Sequence, residues 1–179
     1  MRRFFILTAL FITAITQSAQ AETFPVIEDK VVLKECGDCH MAFAPQTLTR
    51  AVWRDIINNL SSHFGEDASS DPGTVKHILA YHEANASDVS DTRAAMKWTA
   101  DTSYSRITEG PRFKDKHGGC SAAVWTHEKV KLKSNCLACH KTMQTDGSTD
   151  ADIRFLPRGQ QAECNELGAV GVLWNNLFQ

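Results

Sequence analysis

Cys36-Gly37-Asp38-Cys39-His40 and Cys136-Leu137-Ala138-Cys139-His140 are two copies of one pattern, C-x-x-C-H. In a chain of this composition the pattern arises by chance about once in a hundred sequences, so two copies point to a chemical requirement. Two thiols two residues apart on a helical turn can each form a thioether to one vinyl group of a haem. The histidine that follows then lies under the iron as its proximal ligand. The spacing therefore predicts two haem c groups, attached through Cys36, Cys39, Cys136 and Cys139, with His40 and His140 as proximal ligands.

Other readings of C-x-x-C fit less well. A zinc site wants two such pairs separated by roughly 12 to 20 residues, and Cys39 lies far from Cys136. A thioredoxin-like pair wants a βαβ setting and has no use for a following histidine twice.

Five further histidines compete for the opposite face of each iron: His63, His77, His82, His117 and His127. Apolar periodicity predicts a helix over residues 47 to 64, with Trp53, Ile56, Ile57, Leu60 and Phe64 in one stripe and His63 at its edge in the last turn. A second helix is predicted from Asp71-Pro72, as N-cap and first turn, to about Asn85, with His82 on its stripe and His77 in solvent. His82 is thus an alternative to His63. In the second half His117 stands in a loop-like context and His127 follows Trp125; periodicity does not choose between them.

The N-terminus has the three parts of a secretory signal: Arg2-Arg3, an apolar run from Phe4 to Ile15, and Ala19-Gln20-Ala21 before Glu22. The run is shorter than the roughly 20 residues of a bilayer-spanning helix. Cleavage after Ala21 and a periplasmic location are the expectation. Removing the signal leaves 17 of the 19 basic side chains against 21 acidic ones. Nothing forms the basic stripe that nucleic-acid binding requires, and no second long apolar segment suggests a membrane span.

The chain also resembles the diheme cytochrome c family. The resemblance rests on Glu35 to Phe43, Trp53, His63-Phe64-Gly65, Asp67-Ala68, Asp71-Pro72, Ala84 to Ser87, Arg106-Ile107-Thr108, Lys116-His117, Trp125 and Asn135 to His140, within residues 30 to 157. It implies a mainly α fold of two small helical haem-binding lobes, the first similar to class I cytochrome c. It also implies that each iron is held by two histidines, with His63 serving the first haem and His117 the second. A membrane b-type cytochrome and a small oxygen-binding haem protein are the implied partners.

The resulting organisation is a signal over 1–21, a haem lobe over 22–87, a linker over 88–110, a second lobe over 111–158, and a tail over 159–179 with no counterpart in the family. Cys120 and Cys164 are further departures, readable either as a disulfide or as two free thiols.

Irons closed on both faces by imidazole favour electron transfer at relatively low potential, because the sulfur ligand of Met/His cytochromes is missing. The rival reading is a diheme peroxidase-like enzyme with a labile ligand, for which Met41, Met96 and Met143 are candidates.

Overall fold

The computed structural model describes residues 23–98 and 104–165. The expected signal over 1–21 and most of the tail lie outside the described residues. The described chain is mainly α, with eight helices and no strand longer than an isolated bridge.

The first helices follow from their caps. Helix α1 (Lys30–Gly37) starts where the Asp29 carboxylate accepts from the Val31 and Val32 amides, at 2.9 and 3.0 Å. Helix α3 (Pro72–Asn85) starts in the same way on Asp71, which accepts from Gly73 and Thr74, with Pro72 in the first turn. Between them lies α2 (Arg50–Asn58), which packs along α3. Trp53 and Ile57 of α2 are buried against Ile78 of α3, Val32 of α1 and Leu48. The Trp53 indole donates to the Pro45 carbonyl at 2.7 Å, so its one polar atom is satisfied inside the core. Outside the core, Arg54 and Glu83 join α2 to α3 at 2.6 Å.

Helix α2 ends earlier than its stripe predicts. The Asn59 side chain turns back to the Asp55 carbonyl at 2.7 Å, and Leu60–Ser62 tighten into a 3-10 turn. His63 therefore leaves the helix and opens a small reversal, in which His63 and Glu66 exchange backbone hydrogen bonds of 2.8 and 3.1 Å. The two residues at its tip, Phe64 and Gly65, have φ of 55° and 106°, the pattern of a type I′ turn. Phe64 is an unusual occupant of that region. The Arg106 guanidinium lies 4.2 Å above the Phe64 ring and secures it.

The stretch expected as a linker contains structure. Helix α4 (Arg93–Trp98) presses Ala94 and Ala95 fully out of solvent, and Tyr104 is buried too. His117, expected in a loop, is the last residue of α5 (Pro111–His117). Short helices α6 (Ala122–Trp125) and α7 (Met143–Asp146) follow, then α8 (Arg158–Asn165) within what reads as tail. A disulfide joins Cys120 to Cys164 of α8, resolving the alternative left by the sequence.

The N-terminal segment crosses to the second motif's side of the molecule. The Phe24 amide donates to the Gly147 carbonyl at 2.9 Å, beside a bridge between Thr23 and Ser148. Gly147 has φ 74°, and a Cβ there would collide with the Phe24 carbonyl oxygen. Gly147→Ala is expected to destabilise the protein by more than about 1 kcal/mol, from the left-handed backbone plus the broken strap. Denaturant unfolding against wild type measures this; an unchanged midpoint would show that the strap contributes nothing.

Candidate functional site

The two C-x-x-C-H motifs are built on helical turns. Cys36 lies in the last turn of α1, and the chain leaves the helix at Asp38 so that Cys39 and His40 follow it. Cys136 opens a 3-10 turn, and the His140 amide donates back to the Cys136 carbonyl at 2.8 Å. Before a group is attached, burial pushes the thiols of Cys36 and Cys136 up to about 11. Cys39 is exposed and Cys139 half-buried.

Each motif histidine faces one other histidine. His40 and His63 lie with ring centres 6.1 Å apart and planes only 26° from parallel. His140 and His117 lie 5.9 Å apart with planes at 86°. The His40 Nδ1–H is positioned to donate to the Met41 carbonyl at 2.7 Å, and that of His117 to the Phe113 carbonyl at 3.0 Å. In that tautomer Nε2 of each ring is left as a bare acceptor. His140 Nδ1 is buried with no hydrogen-bond partner among the described residues, an arrangement proteins avoid unless something else satisfies the group.

Burial, with the neighbouring His40 and Arg106 adding to it, holds His63 below the usual imidazole range. Burial does the same to His117, partly opposed by the Phe113 carbonyl and reinforced by His140 and Lys116. In both rings the shift favours the neutral form, the one in which imidazole binds a metal.

The residues fit a haem in each place. Two imidazoles that each hold one ion through a nitrogen at about 2 Å have ring centres roughly 6 Å apart, given the size of the ring. Both pairs have that spacing. Among the described residues no group of three or more His, Cys, Asp or Glu side chains converges to hold an ion unaided, so each pair suits a group that brings its own equatorial ligands.

The other histidines are placed elsewhere. His82 is buried in the core, its ring 4.4 Å from Trp53 and its Nδ1 2.8 Å from the Ile78 carbonyl. Burial lowers it to about 4. His127 packs on Phe155 at 5.3 Å, and its Nδ1 accepts from the Lys129 amide at 3.2 Å. His77 is half exposed and pairs with Asp29 at 2.7 Å. Met96 is two-thirds exposed at 67%. Met41 and Met143 instead line one cavity with Phe24, Pro25, Ile27 and Ala44. Met41, the residue after the first motif, and Met143, three residues after the second, thus meet at one place.

Sequence reasoning missed the aromatic box around His117. Phe113 stacks on it at 4.2 Å and 17°, and Trp125 lies 5.9 Å away. A Phe four residues before a histidine on a helix was the available signal, since the two share a face.

Comparison with known proteins points to one family. The family model for dihaem cytochrome c matches residues 32–147. The crystal structure of DHC purified from Rhodobacter sphaeroides is 36% identical, covers 67% of this chain and 96% of its own, and superposes with a TM-score of 0.54. A second structure, a diheme cytochrome c from Rhodobacter sphaeroides, is 38% identical over 66% of this chain and 95% of its own, with a TM-score of 0.58. A diheme cytochrome type c from Shewanella baltica OS155 is 30% identical over 66% of this chain and 85% of its own, at 0.54. A search of curated proteins matched nothing. The two motifs, the mainly α fold and the family match lead to one conclusion: the chain belongs to the dihaem cytochrome c family and carries two c-type haems.

Proposed function

We propose that this dihaem cytochrome works outside the cytoplasm as a bis-histidine electron carrier, taking electrons from a quinol-linked membrane b-type cytochrome and passing them to a small soluble haem protein. The observation that carries the reading is the pairing of His40 with His63 and of His117 with His140 at 6.1 and 5.9 Å. When bound, each haem supplies a one-electron redox couple at its iron.

The chain's own residues do the rest. Cys36, Cys39, Cys136 and Cys139 tether the groups, and His40 and His140 serve as proximal ligands. His63 and His117 close the opposite faces, leaving no position for a substrate. Met41 and Met143 line one cavity, which supports two sites close enough for rapid exchange. The N-terminal signal and the mildly acidic balance after its removal support an exported protein that docks weakly and transiently. The donor and acceptor are those implied by the family resemblance.

Electron paramagnetic resonance with redox titration tests the reading. Two low-spin signals of unlike shape are expected, because ligand planes at 26° and 86° split the iron orbitals differently. Both potentials should lie below the usual Met/His range. A high-spin iron in the resting protein, or fewer than two attached haems, overturns it.

A further inference from the structure

We propose that the Cys120–Cys164 disulfide is a clamp that positions His117, and that it controls whether the distal face of the second iron stays closed. The inference rests on the assignment of His117 to that iron under the proposed function.

His117 ends α5, and the chain leaves it through Gly118-Gly119, the least stiff pair of residues available. A ligand on such a joint can swing away by turning only the end of a short helix. Cys120 follows the joint directly. Its amide donates to the His117 carbonyl at 3.0 Å, and its carbonyl accepts from the Trp125 indole at 3.1 Å. Trp125 in turn flanks the His117 ring at 5.9 Å. Cys120 is therefore the point at which the ligand's backbone and the wall of its aromatic box are both held.

The disulfide fixes that point to the opposite side of the site. From Cys139 of the second motif the chain is tied back by the Asp152 amide, which donates to the Cys139 carbonyl at 2.8 Å. It then runs through the buried Leu156 into α8, where Gln161 donates to the Leu156 carbonyl at 2.7 Å, and reaches Cys164. The disulfide closes this path onto Cys120. The proximal segment carrying His140 and the distal segment carrying His117 are thus joined covalently around one site. Cys164 lies beyond residue 147, where the match to the family model ends.

The test is carbon monoxide binding to the fully reduced holoprotein. Both irons are first made ferrous with dithionite, so that a water-soluble phosphine changes only the disulfide. The phosphine takes up one oxygen from water and leaves two thiols, counted by alkylation. Untreated protein should take up carbon monoxide slowly. The phosphine-treated protein should bind up to one per chain at least about tenfold faster, the factor given by a loss of about 1.4 kcal/mol in the cost of local opening. Cys164→Ser should match it without phosphine and gain nothing from it.

Unchanged uptake by protein with both thiols free, or by loaded Cys164→Ser, overturns the clamp, as does finding both thiols already free in the untreated protein. His117→Ala serves as the control. If it too fails to bind carbon monoxide, the ligand assignment is at fault and not the clamp.

Discussion

His63→Ala is expected to convert a protein that does not take up carbon monoxide readily into one that binds one molecule per chain at the first iron, and to remove one of the two low-spin resonances. The expectation follows from geometry. His63 is the ring that faces His40, at 6.1 Å and 26°, and no third His, Cys, Asp or Glu joins that pair among the described residues. Alanine should leave the type I′ reversal at Phe64-Gly65 in place, because the His63 backbone forms its bridge to Glu66 and the side chain adds only a ring contact with Phe64 at 4.9 Å.

The loss should therefore be one of coordination and not of folding, with both haems still covalently attached. His117→Ala should have the corresponding effect on the second iron and remove the other resonance. His127→Ala, which removes the contact with Phe155 and the hydrogen bond from the Lys129 amide, should leave both resonances intact. If His63→Ala kept both signals and stayed closed to carbon monoxide, another side chain would hold the first iron, and His82 would be the first to examine.

The second large effect expected is a loss of stability on acidification, originating at His82. Burial against Trp53 lowers this imidazole from its usual 6.5 to about 4, opposed only in part by the Ile78 carbonyl and by Asp29. Because the folded value lies below the unfolded one, the unfolded chain binds more protons throughout the interval between them. Stability then falls as the pH drops from about 6.5 and is fully lost to this group only below about 4. A displacement of this size corresponds to about 3 kcal/mol.

Thermal unfolding near pH 7 and near pH 4.5 should show this as a fall of several degrees in Tm. His82→Gln carries no proton to gain, so its Tm should change much less over the same interval. Equal slopes for the two proteins would place the acid sensitivity elsewhere.

The two histidines in these predictions show what periodicity can and cannot report. His63 and His82 both sit on or beside apolar stripes, and a stripe indicates only that a face is covered. It does not say whether the cover is a tryptophan or a porphyrin. Tertiary packing separates them: α3 turns His82 onto Trp53, while the early end of α2 frees His63 to face His40. That early end was not readable, because Leu60 and Phe64 continue the apolar period past the point where Asn59 turns back to Asp55 and competes with the helix. Residues 88 to 110 read as a linker for a related reason. Ala94 and Ala95 carry little hydrophobic signal, yet they are buried because small side chains let helix and neighbour approach closely.

From the sequence alone came the two haems, the four thioether cysteines and proximal histidines expected for them, and helix α3 with its Asp71-Pro72 start. These are local requirements: thioether attachment needs its groups within one helical turn, and a cap needs its residue at the helix end. Only the tertiary structure decided which distant histidine faces which motif, where His82 lies, and that Cys120 meets Cys164 across 44 residues. Those are distances between segments far apart in the chain, and they are set by how the helices pack.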